Sequence, residues 1–270
     1  MSICFIGGGN MANAIIGGLL DARSVVPEQL SVVEINVDNR ARLQHEFKVQ
    51  ATEELAAGVA GSSVVVLAVK PQQLREVAAQ LAPLLDGHLV VSIAAGIRAA
   101  DLARWLGTRN VVRAMPNTPA LIRSGITGLY ALPEVSQVSR DAAKNILDAV
   151  GRCLWLEDEA MLDAVTAVSG SGPAYVFYFI EAMQQAAREL GLIDAVASEL
   201  VFETFLGAAK LAQASPDDVS VLRARVTSKN GTTERALLSM EADQVRQHIV
   251  KAVHAAAGRS KEMGDELGGE

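Results

Sequence analysis

An α/β fold followed by an all-helical half is what this sequence predicts. A doubly wound parallel sheet is expected over residues 1–157 and helices over 158–270. Three observations predict it. Short β-branched runs alternate with helical segments up to about residue 157 and then stop. The first run ends in a glycine turn that opens an amphipathic helix. Beyond residue 157, apolar residues recur at helical spacing instead.

The elements follow in order. Ser2–Ile6, Leu30–Glu34, Ser63–Val69, Leu89–Ile93 and Asn110–Arg113 read as strands, with Gly128–Ala131 and Cys153–Leu156 near an edge. Their apolar runs are continuous rather than alternating, which marks strands buried on both faces of a parallel sheet. Met11–Ala22, Val37–Phe47, Pro71–Leu84 and Ala99–Leu106 read as the intervening helices. In the second half, Ala160–Val168, Pro173–Leu190, Asp194–Ala214, Asp217–Val226, Thr232–Met240 and Asp243–Leu267 read as helical. Pro173 suits a helix start and Gly191 a helix end. Val245, Ile249, Ala252, Val253 and Ala256 share one face of the last helix. Such a half fits a monomer core or a dimer interface equally well.

Composition excludes several classes of function. Of 270 residues, 50% are hydrophobic and 20% charged, enough to build a core. The net charge of −7 argues against general nucleic-acid binding, which favours a basic stripe. Aromatics at 4% do not build a stacking surface for single strands. Cys4 and Cys153 lie inside apolar runs, so neither a disulfide framework nor a metal site is expected. No basic leader and no long uninterrupted apolar run is seen, which makes the cytoplasm the expected location and leaves a membrane out.

Gly7-Gly8-Gly9-Asn10-Met11-Ala12 is a G-x-G-x-x-A between a strand and a helix, the context that the dinucleotide fingerprint requires. Gly7 makes the turn, Gly9 admits a pyrophosphate, and Ala12 lets the helix pack closely. Glu34 stands 25 residues after Gly9, where an acid accepts from adenosine ribose hydroxyls and repels a 2′-phosphate. Asn36, Arg40 and Arg42 lie near enough to serve that phosphate instead. The choice between NADPH and NADH stays open, with a lean to NADH from the acid.

Three more segments follow strands, at the edge where open α/β sheets bind ligands. They are Ala68-Val69-Lys70-Pro71, Ser92-Ile93-Ala94-Ala95-Gly96 and Met115-Pro116-Asn117-Thr118-Pro119. The helical half contributes Ser169-Gly170-Ser171-Gly172-Pro173-Ala174-Tyr175 and Val226-Thr227-Ser228-Lys229-Asn230-Gly231-Thr232-Thr233. With the glycine turn, these motifs in this order resemble the pyrroline-5-carboxylate reductase family over essentially the whole chain.

The resemblance implies a Rossmann domain, a C-terminal helical dimerisation domain, and NAD(P)H-dependent reduction of 1-pyrroline-5-carboxylate to L-proline. It also implies a homodimer, often assembled into a decamer. Carried onto this sequence, it makes Gly7–Ala12, Glu34, Asn36, Ala68–Pro71, Ala94, Ala95, Gly96 and Asn117 cofactor-binding. Ser228, Lys229, Asn230, Gly231, Thr232 and Thr233 become substrate-binding, with Thr233 contacting the ring nitrogen. Two departures stand out. The family's usual Ser-Pro-Gly-Gly is here Ser228-Lys229-Asn230-Gly231, in which Asn tolerates left-handed backbone angles. Leu55 stands where many members carry an Asn that reaches the adenosine ribose, and with Glu34 it weighs against the usual NADPH preference.

The chemistry is consistent with that substrate. Hydride addition to a ketone leaves an alkoxide that needs an acid beside it. No obvious Lys, His or Tyr acid occurs in the helical-half motifs, and His45, His88, His248 and His254 lie outside them. A cyclic imine can arrive protonated and leave as a neutral amine. The expected mechanism holds the carboxylate on backbone N–H groups at a helix start near Thr232, with the nicotinamide near Ala94, Ala95 and Asn117. Thr232 and Thr233 also suit N-capping, which is compatible with binding. A β-hydroxyacid dehydrogenase is the rival enzyme, but it needs a helical Lys after the Ser169–Pro173 turn, and the next Lys is Lys210. A non-catalytic nucleotide sensor is the other rival.

Overall fold

The computed structural model describes residues 1–269. One sheet contains β1 (Ile3–Ile6), β2 (Leu30–Val33), β3 (Gln50–Thr52), β4 (Val64–Leu67), β5 (Leu89–Ser92), β6 (Val111–Met115), β7 (Gly125–Ala131) and β8 (Gly151–Trp155). Their spatial order is β3-β2-β1-β4-β5-β6-β7-β8. The chain winds outward from β1 to β3, then returns to lay β4 on the other side of β1. Ile6 is therefore in register with Val33 on one side and Leu67 on the other. The reversal opens a crevice at the carboxyl ends of β1 and β4, where doubly wound sheets bind ligands.

All neighbours pair in parallel except β6 and β7. Between these two lies only a short link with a 3₁₀ turn at Thr118–Ile122, too short for a parallel crossover. β7 therefore runs antiparallel, a feature that the uniform apolar runs do not reveal. β1, β4 and β5 are buried along their whole length.

The helices of this part are α1 (Asn10–Asp21), α2 (Val37–Phe47), α3 (Leu55–Val59), α4 (Pro71–Leu81), α5 (Ala99–Leu106), α6 (Gln137–Asp148) and α7 (Met161–Val165). α1 buries Ala12, Ile15, Ile16 and Leu19 completely, each large side chain contributing about 1.5–3 kcal/mol. Asn36 caps α2 by accepting the Asn39 N–H at 2.9 Å, and Ser136 caps α6 by accepting the Ser139 N–H at 3.1 Å. Pro71 opens α4, and Gly107 closes α5 in the left-handed conformation.

After a π-helical turn at Thr166–Gly170 come α8 (Gly172–Glu189), α9 (Asp194–Ala214), α10 (Val219–Arg225), α11 (Thr232–Ala242) and α12 (Val245–Leu267). The chain forms two compact units, which divide it elsewhere than at residue 157. Met1–Ser171 with the chain from Ala256 onward is one, and Gly172–Ala255 is the other. Polar contacts explain why both segments join the sheet. Glu159 Oε1 accepts from Arg113 Nη1 of β6 and from the N–H of Ala99 of α5, both at 2.6 Å. Ser260 Oγ of α12 donates to Asp163 Oδ1 of α7 at 2.6 Å, and Arg98 pairs with Asp265.

The second unit buries little by itself. Among its described residues Ala197 and Val201 are the buried hydrophobics, whereas Phe177, Leu200, Phe202 and Leu206 are exposed. An apolar surface of that extent on a helical unit marks an interaction face.

Candidate active site

The glycine turn leaves β1 at the crevice. Gly7 has φ +99°, a left-handed value that favours glycine, and a Cβ there would come within 2.9 Å of the Ala68 carbonyl oxygen. At Gly8 a Cβ would meet Leu43 Cδ1 at 2.6 Å. At Gly9 it would meet nothing within 4 Å. Gly7 is thus demanded by the backbone itself, Gly8 is crowded by side-chain ends, and Gly9 faces open space. Gly9 precedes α1 with no side-chain cap, so the first backbone N–H groups, from Asn10 onward, keep their donor capacity.

A cavity of about 400 Å³ lies beside this turn. Gly7, Gly8, Gly9, Glu34, Ala68, Val69 and Lys70 line it, joined by Ile35, Glu53, Leu55 and Glu76. It has the volume of a cofactor pocket. An open Gly9, uncapped helical N–H groups and an apolar Ile35 and Leu55 fit a dinucleotide with a pyrophosphate and an adenine. Leu55 is thus part of the wall. Asn10, Met11, Ala12, Asn36, Pro71, Ala94, Ala95, Gly96 and Asn117 are not. Asn10, Met11 and Ala12 form the first turn of α1, with Ala12 fully buried as close packing requires.

Glu34 is held from three directions. Its Oε2 accepts the Gly8 N–H at 3.0 Å and Asn39 Nδ2 at 2.8 Å, while Oε1 accepts the Asn36 N–H at 2.9 Å. Asn39 Nδ2 also reaches the Gly8 carbonyl oxygen at 2.9 Å. Asn39 is a site residue that sequence reasoning missed, although its place three residues after an N-cap Asn is a local signal.

The other strand-end loops carry internal duties. Asn117 Oδ1 accepts the Ile126 N–H at 2.9 Å, and its Nδ2 donates to the Ser169 carbonyl oxygen at 3.1 Å. It braces the loop between β6 and β7. Gly96 backs onto α12, where a Cβ would stand 3.1 Å from Met263 Cβ. The Asn36 side chain is spent on capping α2.

In the second unit, Ser228–Gly231 is a turn closed by the Gly231 N–H on the Ser228 carbonyl oxygen at 3.0 Å. Asn230 sits at φ +61°, the left-handed conformation expected of it. Its N–H donates to Glu234 Oε2 at 2.7 Å. Glu234, also missed, reaches back from the third position of α11 in the manner of a capping box. The capping expectation for the threonines does not hold, because Gly231 is the N-cap and no side chain caps α11. Thr232 and Thr233 occupy the first turn with their N–H groups unused by the helix. The unit also has an apolar groove of about 290 Å³ between α8 and α12, lined by Tyr175, Tyr178, Val245, Ile249 and Val253.

No thiol or imidazole lines the cavity beside the glycine turn. Burial pushes the Cys4 thiol up to about 11, opposed by a hydrogen bond with Ser31. Desolvation, then Asp148, pushes Cys153 up to about 12. His45, His248 and His254 are exposed, and His88 Nδ1 accepts the Asp86 N–H at 2.9 Å. Among the described residues, no cluster of His, Cys, Asp or Glu could hold a metal ion, and no helix is long and apolar enough to cross a membrane.

Two family models match separate parts of the chain. Residues 159–263 match the family model for pyrroline-5-carboxylate reductase dimerisation, and residues 2–96 match that for NADP oxidoreductase, coenzyme F420-dependent. The chain is 49% identical over 268 residues to the pyrroline-5-carboxylate reductase of Pseudomonas aeruginosa, covering 98% of each. It is 43% identical to that of Haemophilus influenzae, covering 97% of each. A solved pyrroline-5-carboxylate reductase from Coxiella burnetii superposes with a TM-score of 0.90 at 40% identity, covering 97% of this chain and 98% of that one. The pyrroline carboxylate reductase of Plasmodium falciparum, solved with NADP bound, gives 0.89 at 28% identity and 98% of each chain. These matches span nearly the whole of each chain, and the chain belongs to the pyrroline-5-carboxylate reductase family.

Proposed function

We propose that the chain reduces 1-pyrroline-5-carboxylate to L-proline with NADPH or NADH, the last step in making proline. Residues 1–157 would serve the cofactor and 158–270 the substrate and the partner subunit. The observation that carries the reading is the Ser228–Thr233 turn, in a chain that belongs to this family. Its left-handed Asn230 and uncapped α11 leave N–H groups free at a helix start, the arrangement that suits a carboxylate.

A bound nicotinamide supplies the hydride. The chain's own residues bind and orient. The Gly7–Gly9 turn and the first N–H groups of α1 hold the pyrophosphate, and Ala68, Val69 and Lys70 close the far wall. The N–H groups of Thr232 and Thr233 hold the substrate carboxylate. The Thr233 hydroxyl accepts the N–H of the protonated imine and orients the ring. Hydride addition at the imine carbon then leaves a neutral secondary amine, so no side chain has to deliver a proton in that step. Rate comes from positioning two reactants.

The proposed assembly is a homodimer through the helical unit, built further into a decamer, in the cytoplasm. Small molecules are the expected ligands, and neither nucleic acid nor membrane enters the reading. Following cofactor oxidation with pyrroline-5-carboxylate and with a panel of keto acids tests it. Turnover with the imine alone supports the reading. Turnover with keto acids alone supports a hydroxyacid dehydrogenase, and none at all supports a nucleotide sensor.

A further inference from the structure

The two arginines near the end of β2 are the groups that a 2′-phosphate would need, and neither is free. Arg40 Nη1 donates to the carbonyl oxygens of Glu34 and Ile35 at 2.8 and 2.9 Å. Its Nη2 lies 2.9 Å from Glu53 Oε2. Arg40 is largely buried, with 18% of its side chain exposed, so it cannot swing out without breaking these contacts. Arg42 donates to Asn39 Oδ1 through Nε and Nη2 at 3.2 and 2.7 Å, and pairs with Glu46 at 3.1 Å.

The acceptor side is equally committed. A carboxylate offers about four lone-pair sites. Glu34 uses three of them, on Gly8, Asn36 and Asn39. The one left, on Oε1, can accept a ribose hydroxyl but has nothing to give a phosphate. The charged residues of the cavity wall are Glu34, Glu53, Glu76 and Lys70. Lys70 follows β4, on the far side of β1 from Glu34. A phosphate at the end of β2 would therefore face carboxylates, with Arg40 turned toward Glu53.

We infer that the lock formed by Glu34, Asn39, Arg40 and Glu53 makes this chain select NADH over NADPH. The inference rests on the reading of the cavity as the dinucleotide site. Specificity here comes from withheld partners as much as from contacts offered.

Direct binding to the full chain without substrate tests it, using NADH and NADPH separately in calorimetry. Thermal melts check that each variant is folded. The wild type is expected to bind NADH roughly tenfold more tightly than NADPH. Glu53→Gln, which loosens Arg40, is expected to narrow that gap by strengthening NADPH. Arg40→Met is expected to weaken NADPH no more than NADH. Equal or tighter binding of NADPH by the wild type overturns the inference, as does an Arg40→Met variant that selectively loses NADPH. Binding of neither nucleotide overturns the dinucleotide site and this inference with it. NADPH-preferring binding with intact turnover overturns the inference alone.

Discussion

Glu34 Oε2 accepts the backbone N–H of Gly8 at 3.0 Å, so the acid that ends β2 fastens the middle of the glycine turn that leaves β1. Glu34→Ala strands the Gly8 and Asn36 N–H groups and leaves Asn39 Nδ2 the Gly8 carbonyl oxygen alone. Partly buried hydrogen bonds to a charged acceptor put the loss at about 1–2 kcal/mol. Denaturant unfolding checks the stability. A nucleotide titration is expected to show weaker binding of both cofactors, because the turn loses its anchor.

Asn230 occupies φ +61°. Asn230→Gly keeps that conformation and is expected to retain kcat/KM within about threefold. Asn230→Val forces a β-branched residue into the left-handed region, at a cost of about 1–2 kcal/mol that moves the turn. The expected result is a raised KM for pyrroline-5-carboxylate with little change in cofactor affinity. Steady-state kinetics of the two variants separates these outcomes.

Thr233 does not cap α11. Thr233→Ala is therefore expected to leave the melting temperature near the wild-type value while kcat/KM falls by about tenfold or more. Unchanged kcat/KM would contradict the proposed contact with the ring nitrogen, and a large fall in melting temperature would show a structural duty instead.

The thiols set a stability trend at alkaline pH. Burial holds Cys4 protonated up to about 11, against an ordinary 9.0. Cys153 behaves likewise, up to about 12. The folded chain keeps protons that the unfolded chain releases above 9.0. This stabilisation is complete below the unfolded value and is lost as pH rises through the folded ones. Unfolding free energy is expected to fall from pH 8 to 10.5, and less steeply in Cys4→Ala. Parallel slopes for the two proteins would contradict the assignment.

Arg113 Nη1 and Glu159 Oε1 lie 2.6 Å apart with 11% and 22% of their side chains exposed. Arg113→Met leaves Glu159 without its cation while Glu159 still holds the Ala99 N–H. Removing one partner of a largely buried pair is expected to cost about 2–3 kcal/mol, read by denaturant unfolding.

What was legible in the sequence was local. Valine runs mark β2, β4 and β5, and α2, α5 and α9 have the bounds expected from the sequence. β3, with three residues, and α3, with five, are too short to carry a period, and α6 lies in a stretch with few large apolar residues. Gly7, Gly8, Gly9 and Glu34 reach the cavity because the fingerprint itself sets their geometry, and Ala68–Lys70 because β4 ends beside β1. Asn117 and Gly96 share that strand-end position, yet their contacts are with Ser169 and Met263, far away in sequence. The pairing of Arg40 with Glu53 was hidden for the same reason: either arginine fits a phosphate until the fold supplies a closer carboxylate.

Transfer of deuterium from NADH carrying deuterium at both C4 positions tests the central claim most directly. Mass spectrometry of the product from pyrroline-5-carboxylate is expected to show L-proline carrying one deuterium, bound to C5, the former imine carbon. Unlabelled proline, or no proline while the cofactor is consumed, would contradict the account.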